Sequence, residues 1–129
     1  MIRKLTTGAE LDAIFLHPEV SAPLGLPADW SGQLVLDRGC RAWGFDGGAF
    51  IVSPQEDGTC QVHVGVLPEA RGIRAVRAAR AAIAWEISQG TTLVGRTPID
   101  RPDALCFALA AGMIYRGQEG GEWISWAKA

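Results

Sequence analysis

The chain has 129 residues, 48% of them hydrophobic, which suffices for one ordinary domain with a buried core and leaves no room for a second. A formal net charge of −2 and a pI near 5.6 exclude general nucleic-acid binding, which needs a basic surface. Cys40, Cys60 and Cys106 are odd in number, widely spaced and outside any Cys-x-x-Cys pattern, so neither a disulfide framework nor a metal site is expected.

Ile2 to Thr6 reads as a short strand, and Thr7 with Glu10 as a capping box for a helix starting near Gly8 that buries Leu11, Ile14 and Phe15. His17-Pro18 interrupts it, and Pro23 and Pro27 keep the chain irregular or in short helical turns up to Trp30. Gln33 to Asp37 reads as a strand, and the glycine-rich stretch after it, with Trp43, Phe45 and Asp46-Gly47-Gly48, as a long loop. Trp43 there is either an aromatic wall for a ligand or a core plug beneath the loop, and tryptophan burial statistics favour the plug. Ala49 to Ser53 is a strand, turning at Gln55-Glu56-Asp57-Gly58 into the next one.

The stretch Gln61 to Val76, QVHVGVLPEARGIRAV, carries most of the functional signal. Val62, Val64 and Val66 share one side of a period-two pattern, with His63 opposite. Pro68 ends strand pairing because it has no N–H to donate. The spacing then becomes helical: Ile73, Val76, Ala79 with Arg80, Ile83 and Ile87 form an apolar face on a helix beginning between Arg71 and Arg74. Arg71, Arg74, Arg77 and Arg80 fall in its first turns, where unpaired N–H groups already carry partial positive charge. A bound anion would relieve that conflict and make the junction a phosphate site; ordinary solvation and pairing with acids such as Glu69 and Glu86 is the alternative use. The tail is a hairpin, Met113 to Gln118, a turn at Glu119-Gly120-Gly121, then Glu122 to Ala127, with Trp123 and Trp126 on opposite faces and at least one of them exposed or at an interface.

Strand, Val66-Leu67-Pro68-Glu69-Ala70-Arg71-Gly72, helix resembles the signature segment of the GNAT superfamily of N-acetyltransferases. Thr92-Leu93-Val94-Gly95, Arg101-Pro102-Asp103-Ala104 and Gly112-Met113 are similar to the strand, helix and strand opening that follow it, so the likeness covers roughly Gly32 to Tyr115. The resemblance implies a single α/β domain over residues 1–129, with a mixed, mostly antiparallel sheet flanked by helices. It implies acetyl-CoA as cosubstrate and an amine as acceptor. Val64 and Val66 would run beside the pantetheine, and Arg71, Gly72, Ile73, Arg74, Ala75 and Val76 would hold the pyrophosphate. His63 is the side-chain candidate for the general base, its unperturbed pKa lying near 6.5. Arg74 and Val76 stand where the family usually has small residues, and Ala108 where many members have a tyrosine that protonates the departing thiolate.

Val62-His63-Val64, Trp85 and Gly95-Arg96-Thr97-Pro98 add a narrower likeness to divergent phage and prophage members. The alternative function is accordingly a catalytically inactive binding or assembly module. No phosphate loop of the nucleotide-hydrolase type is present. The N-terminus has no apolar signal stretch and no segment reaches the length of a membrane span, so a cytoplasmic protein without membrane attachment is expected; a homodimer is compatible with the tail.

Overall fold

Turn chemistry sets the boundaries of the N-terminal helices in the structure, a computed structural model that describes residues 2–128. Helix α1 (Gly8–Phe15) follows Thr7, whose hydroxyl bonds the Glu10 carboxylate at 2.8 Å instead of capping a backbone N–H. Helix α2 (Pro18–Leu24) starts at the interrupting His17-Pro18, with His17 Nδ1 accepting the Glu19 N–H at 3.2 Å, and stops at Gly25 in the left-handed conformation. Helix α3 (Gly32–Asp37) occupies the stretch expected to be a strand from Gln33 to Asp37. Ser31 Oγ caps the Leu34 N–H at 3.1 Å, Gln33 bonds Asp37 one turn later at 2.9 Å, and the adjacent pair Val35 and Leu36 packs inward. Capping and an i,i+4 bond override the apparent alternation.

Seven strands form one sheet: β1 (Arg3–Lys4), β2 (Arg41–Phe45), β3 (Gly48–Pro54), β4 (Cys60–Val66), β5 (Leu93–Pro98), β6 (Ile114–Glu119) and β7 (Glu122–Ala127), in the order β1-β2-β3-β4-β5-β7-β6. The expected loop around Trp43 is corrected to strand β2, which β1 and β3 flank on both sides, so its backbone groups are satisfied despite the glycines. Every pairing is antiparallel except β4 with β5, which are joined by the long crossover helix α4 (Ile73–Ser88).

Strands β2 and β3 send alternate residues to two cores. Phe50, Val52, Val62 and Val64 meet α4 and helix α5 (Pro102–Ala110), while Ala49 and Ile51 meet α1 to α3. The buried face of α4 is Ala75, Ala78, Ala79, Ala82, Ile83 and Glu86, rotated from the expected one, and Ile73 is 63% exposed. Small alanines let the helix lie close on the sheet, and a carboxylate can join that face because it is fully paired. Glu86 accepts from Arg41 Nη2 at 2.5 Å and Nε at 3.1 Å, from Trp43 Nε1 at 2.9 Å and from Thr91 Oγ1 at 3.0 Å. Trp43 is thus a core residue, packed at a tilt against Trp85 with ring centroids 4.7 Å apart. Trp123 and Trp126 lie on opposite faces and both are half-buried; Arg116 sits 4.5 Å over the Trp126 ring.

Candidate functional site

Strand β4 keeps an unbroken antiparallel register with β3 from Cys60 to Val66, without a bulge. Its pairing with β5 is short: Cys60 with Leu93 and Gln61 with Val94 are the only rungs. Beyond them the two strands separate and leave a fork in the sheet. Cys60 donates its N–H to Thr92 O on the β5 side at 2.9 Å, whereas Leu67 donates to Gly47 O on the β3 side at 2.8 Å. Alternation along the strand therefore turns the N–H groups of Val64 and Val66 into the fork, where β5 no longer meets them.

The mouth of the fork leads through a 3-10 turn (Pro68–Ala70) to the start of α4. Gly72 has φ 133° and ψ −159°, a conformation essentially confined to glycine, and it redirects the chain into the helix. The first helical bond is Val76 N–H to Gly72 O at 3.2 Å; no side chain caps the N-terminus and no acid lies in the first turn. The N–H groups of Gly72, Ile73, Arg74 and Ala75 have no intrahelical acceptor, and the helix dipole adds partial positive charge there.

The four arginines have divided roles. Arg71 donates from Nε to Val66 O and from Nη2 to Glu19 O, both at 3.2 Å, bracing the end of β4 against α2. Arg80 donates to Ala110 O at 2.7 Å and closes the C-terminus of α5. Arg74 and Arg77 are exposed and have no hydrogen bond or ion pair among the described residues. Arg77 was not among the residues expected to hold pyrophosphate; its signal in the sequence is the three-residue spacing from Arg74, which places both on one side of the first two turns.

On the opposite face of the sheet, α1 to α3 cover the β1–β4 half and leave β5, β7 and β6 open. A groove of about 750 Å³ lies there, lined by Gln61 and Val94 of the last rung and by Arg96, Arg116, Ile124 and Trp126. His63 projects to this same face, as the alternation requires, half-buried and with Nε2 3.5 Å from Gln61 Nε2. Burial pushes the imidazole below its ordinary pKa, because the charged form is the one that desolvation penalises. Ala108 is half-buried in α5 against the core and brings no titratable group.

The remaining chemistry is sparse. The three cysteines are free, no group of three potential metal ligands occurs among the described residues, and no described helix is long and apolar enough to cross a membrane. Sequence reasoning missed the β5 wall of the fork, where Gly95 and Thr97 pair with Ser125 and Trp123 of β7. These partners are remote in sequence, and no local pattern announces them.

No protein-family model matches the sequence, and no curated protein matches it either. Solved structures do match over nearly the whole chain. An N-acetyltransferase from Staphylococcus aureus Mu50 superposes with a TM-score of 0.72 at 13% identity, over 99% of this chain and 96% of that one. The spermidine N-acetyltransferase of Vibrio cholerae, in complex with CoA and spermine, gives 0.70 at 11% identity, over 98% and 92%. A GNAT superfamily phosphinothricin acetyltransferase from Sinorhizobium meliloti, in complex with AcCoA, gives 0.68 at 12% identity, over 98% and 86%. The chain therefore has the fold of the GNAT acetyltransferases: an α/β domain built on a mixed, mostly antiparallel seven-stranded sheet with helices on both faces.

Proposed function

We propose that this protein transfers an acetyl group from acetyl-CoA to an amine. The observation that carries the reading is the β4–β5 fork opening onto the uncapped, arginine-bearing start of α4. The pantetheine arm, which contains amide groups, lies along β4 against the Val64 and Val66 N–H groups. The pyrophosphate rests on the N–H groups from Gly72 to Ala75, beside Val76, with Arg74 and Arg77 adding charge where the chain has no further glycine. Arg71 serves this site by holding the strand end in place.

A thioester at the closed end of the fork is reached from the groove on the opposite face, because Gln61 and Val94 belong to both. The amine nitrogen attacks the carbonyl carbon, His63 accepts the amine proton, and the carbon–sulfur bond breaks with the electron pair leaving on sulfur. Main-chain N–H donors in the fork polarise the carbonyl, and the reaction needs positioning more than strong chemistry. Two of the similar structures are complexes with CoA or AcCoA, which supports the same ligand here.

Calorimetric titration of acetyl-CoA into the wild type and an Arg74→Ala/Arg77→Ala variant tests this. Each charge-assisted hydrogen bond to phosphate contributes about 1.5–3 kcal/mol, so saturable wild-type binding should weaken by roughly tenfold or more in the variant. Arg71 is left intact because its loss would loosen the fold. Absence of wild-type binding at millimolar ligand would leave the inactive binding or assembly module as the function.

A further inference from the structure

The buried carboxylate of Glu86 bonds to both halves of the sheet at once. From the half made of β1 to β4, Arg41 donates through Nε at 3.1 Å and Nη2 at 2.5 Å, and Trp43 through Nε1 at 2.9 Å. From the half made of β5, β7 and β6, Thr91 donates Oγ1 at 3.0 Å, two residues before β5 begins, and its N–H bonds Glu86 O at 3.1 Å. The bridge crosses where the fork closes. Thr92, next in the chain, accepts the Cys60 N–H at 2.9 Å, Cys60 pairs with Leu93, and Arg41 Nη2 lies 4.0 Å from Cys60 Sγ. A buried ion pair contributes little net stability compared with apolar residues of similar volume. What this one adds is a directional tie between two half-sheets whose main chains share only two rungs. The same helix carries the uncapped N–H groups at its other end, about 20 Å from Glu86 at 1.5 Å per residue.

We infer that Glu86 is a positioning residue that sets the opening of the β4–β5 fork, with Thr91 as its contact to the β5 half. That this opening grips a pantetheine arm rests on the acetyl-CoA reading above; the strut itself rests on the contacts alone. Both groups act from the closed end, fixing where β5 departs from β4 and hence the spacing of the two walls. A slot already held at its working width has less freedom to lose when a ligand enters, so the strut acts on affinity. Through α4 it also fixes the first helical turn relative to the slot, which keeps a phosphate site and a pantetheine site in register.

Thr91→Val and Thr91→Ser separate this role from general support of the core. Valine keeps the shape but removes the side-chain bond from Glu86 to the β5 half, leaving Glu86 paired with Arg41 and Trp43; serine keeps the hydroxyl. Amide exchange is measured first, on wild type and both variants without ligand. A hydrogen bond to a charged group shifts a local opening equilibrium by about tenfold or more. The Cys60 amide, bonded across the closed end, should therefore exchange roughly tenfold faster in Thr91→Val, while the Gln61 and His63 amides, which point toward β3, keep their wild-type rates. Thr91→Ser should match the wild type throughout. Calorimetric titration should then show acetyl-CoA binding several-fold more weakly to Thr91→Val and equally well to Thr91→Ser. No acceleration at Cys60, or equal acceleration at Cys60, Gln61 and His63, overturns the strut and leaves Glu86 a support of the core. A faster Cys60 amide with unchanged acetyl-CoA affinity overturns its control of the ligand slot. Failure of the wild type to bind acetyl-CoA overturns the cofactor reading instead, and the exchange comparison, made without ligand, decides the strut independently.

Discussion

Truncating Glu86 to alanine would strand the Arg41 guanidinium, the Trp43 indole N–H and the Thr91 hydroxyl around an empty site. Breaking a buried pair from one side costs about 3–5 kcal/mol, and urea unfolding of Glu86→Ala should show a loss of that order. Burial alone would raise the Glu86 carboxyl, but the hydrogen bonds from Arg41, Trp43 and Thr91 outweigh it and hold the group below its usual value. The folded pKa being depressed, this stabilisation is complete above the unfolded carboxyl value of about 4.3 and is lost as pH falls through the lower folded one. The alanine variant should have a flatter acid limb in stability against pH. His63 titrates in a different window. Its burial favours the neutral imidazole, so kcat/KM should fall only below the ordinary histidine range, and His63→Ala should lose roughly a hundredfold or more in rate together with that limb. The placement of the imidazole on the face opposite the valines was visible in the sequence; Glu86 was not visible as a core residue, since its partners Arg41 and Trp43 lie more than forty positions away.

At the level of elements, the β4–turn–α4 unit was legible because a change from period two to period 3.6 across Pro68 has no other local solution. The neighbouring elements were not. Strand β2 reads as a glycine-rich loop until β1 and β3 bracket it, and α3 reads as alternation until its serine cap is placed. The fork is harder still to read, because it is a pairing that stops: the sequence of β4 continues regularly through the point where β5 departs. Hydrogen exchange gives that interruption a direct readout. The Val64 and Val66 amides, lacking a β5 partner, should exchange faster than the Gln61 and His63 amides, which point toward β3, and should slow on saturation with acetyl-CoA. Unchanged exchange at Val64 and Val66 in a saturated complex would mean that the ligand lies elsewhere.

The whole molecule is two half-sheets, β1 to β4 and β5-β7-β6, held together by two backbone rungs and by α4 packing across β2, β3 and β5. The halves diverge into a slot whose lining donors are main-chain atoms, and this has a consequence for how such a protein varies. Mutation rewrites side chains but cannot delete a peptide N–H short of inserting proline. Sequence drift along β4 can therefore exchange every side chain that does not pack while the slot and its donors persist. The similar structures share this fold at 11% to 13% identity, with TM-scores of 0.68 to 0.72. A slot lined by the backbone is invisible to motif comparison, and the letters that mark it are those that shape the chain around it: Pro68, Gly72 and Gly95.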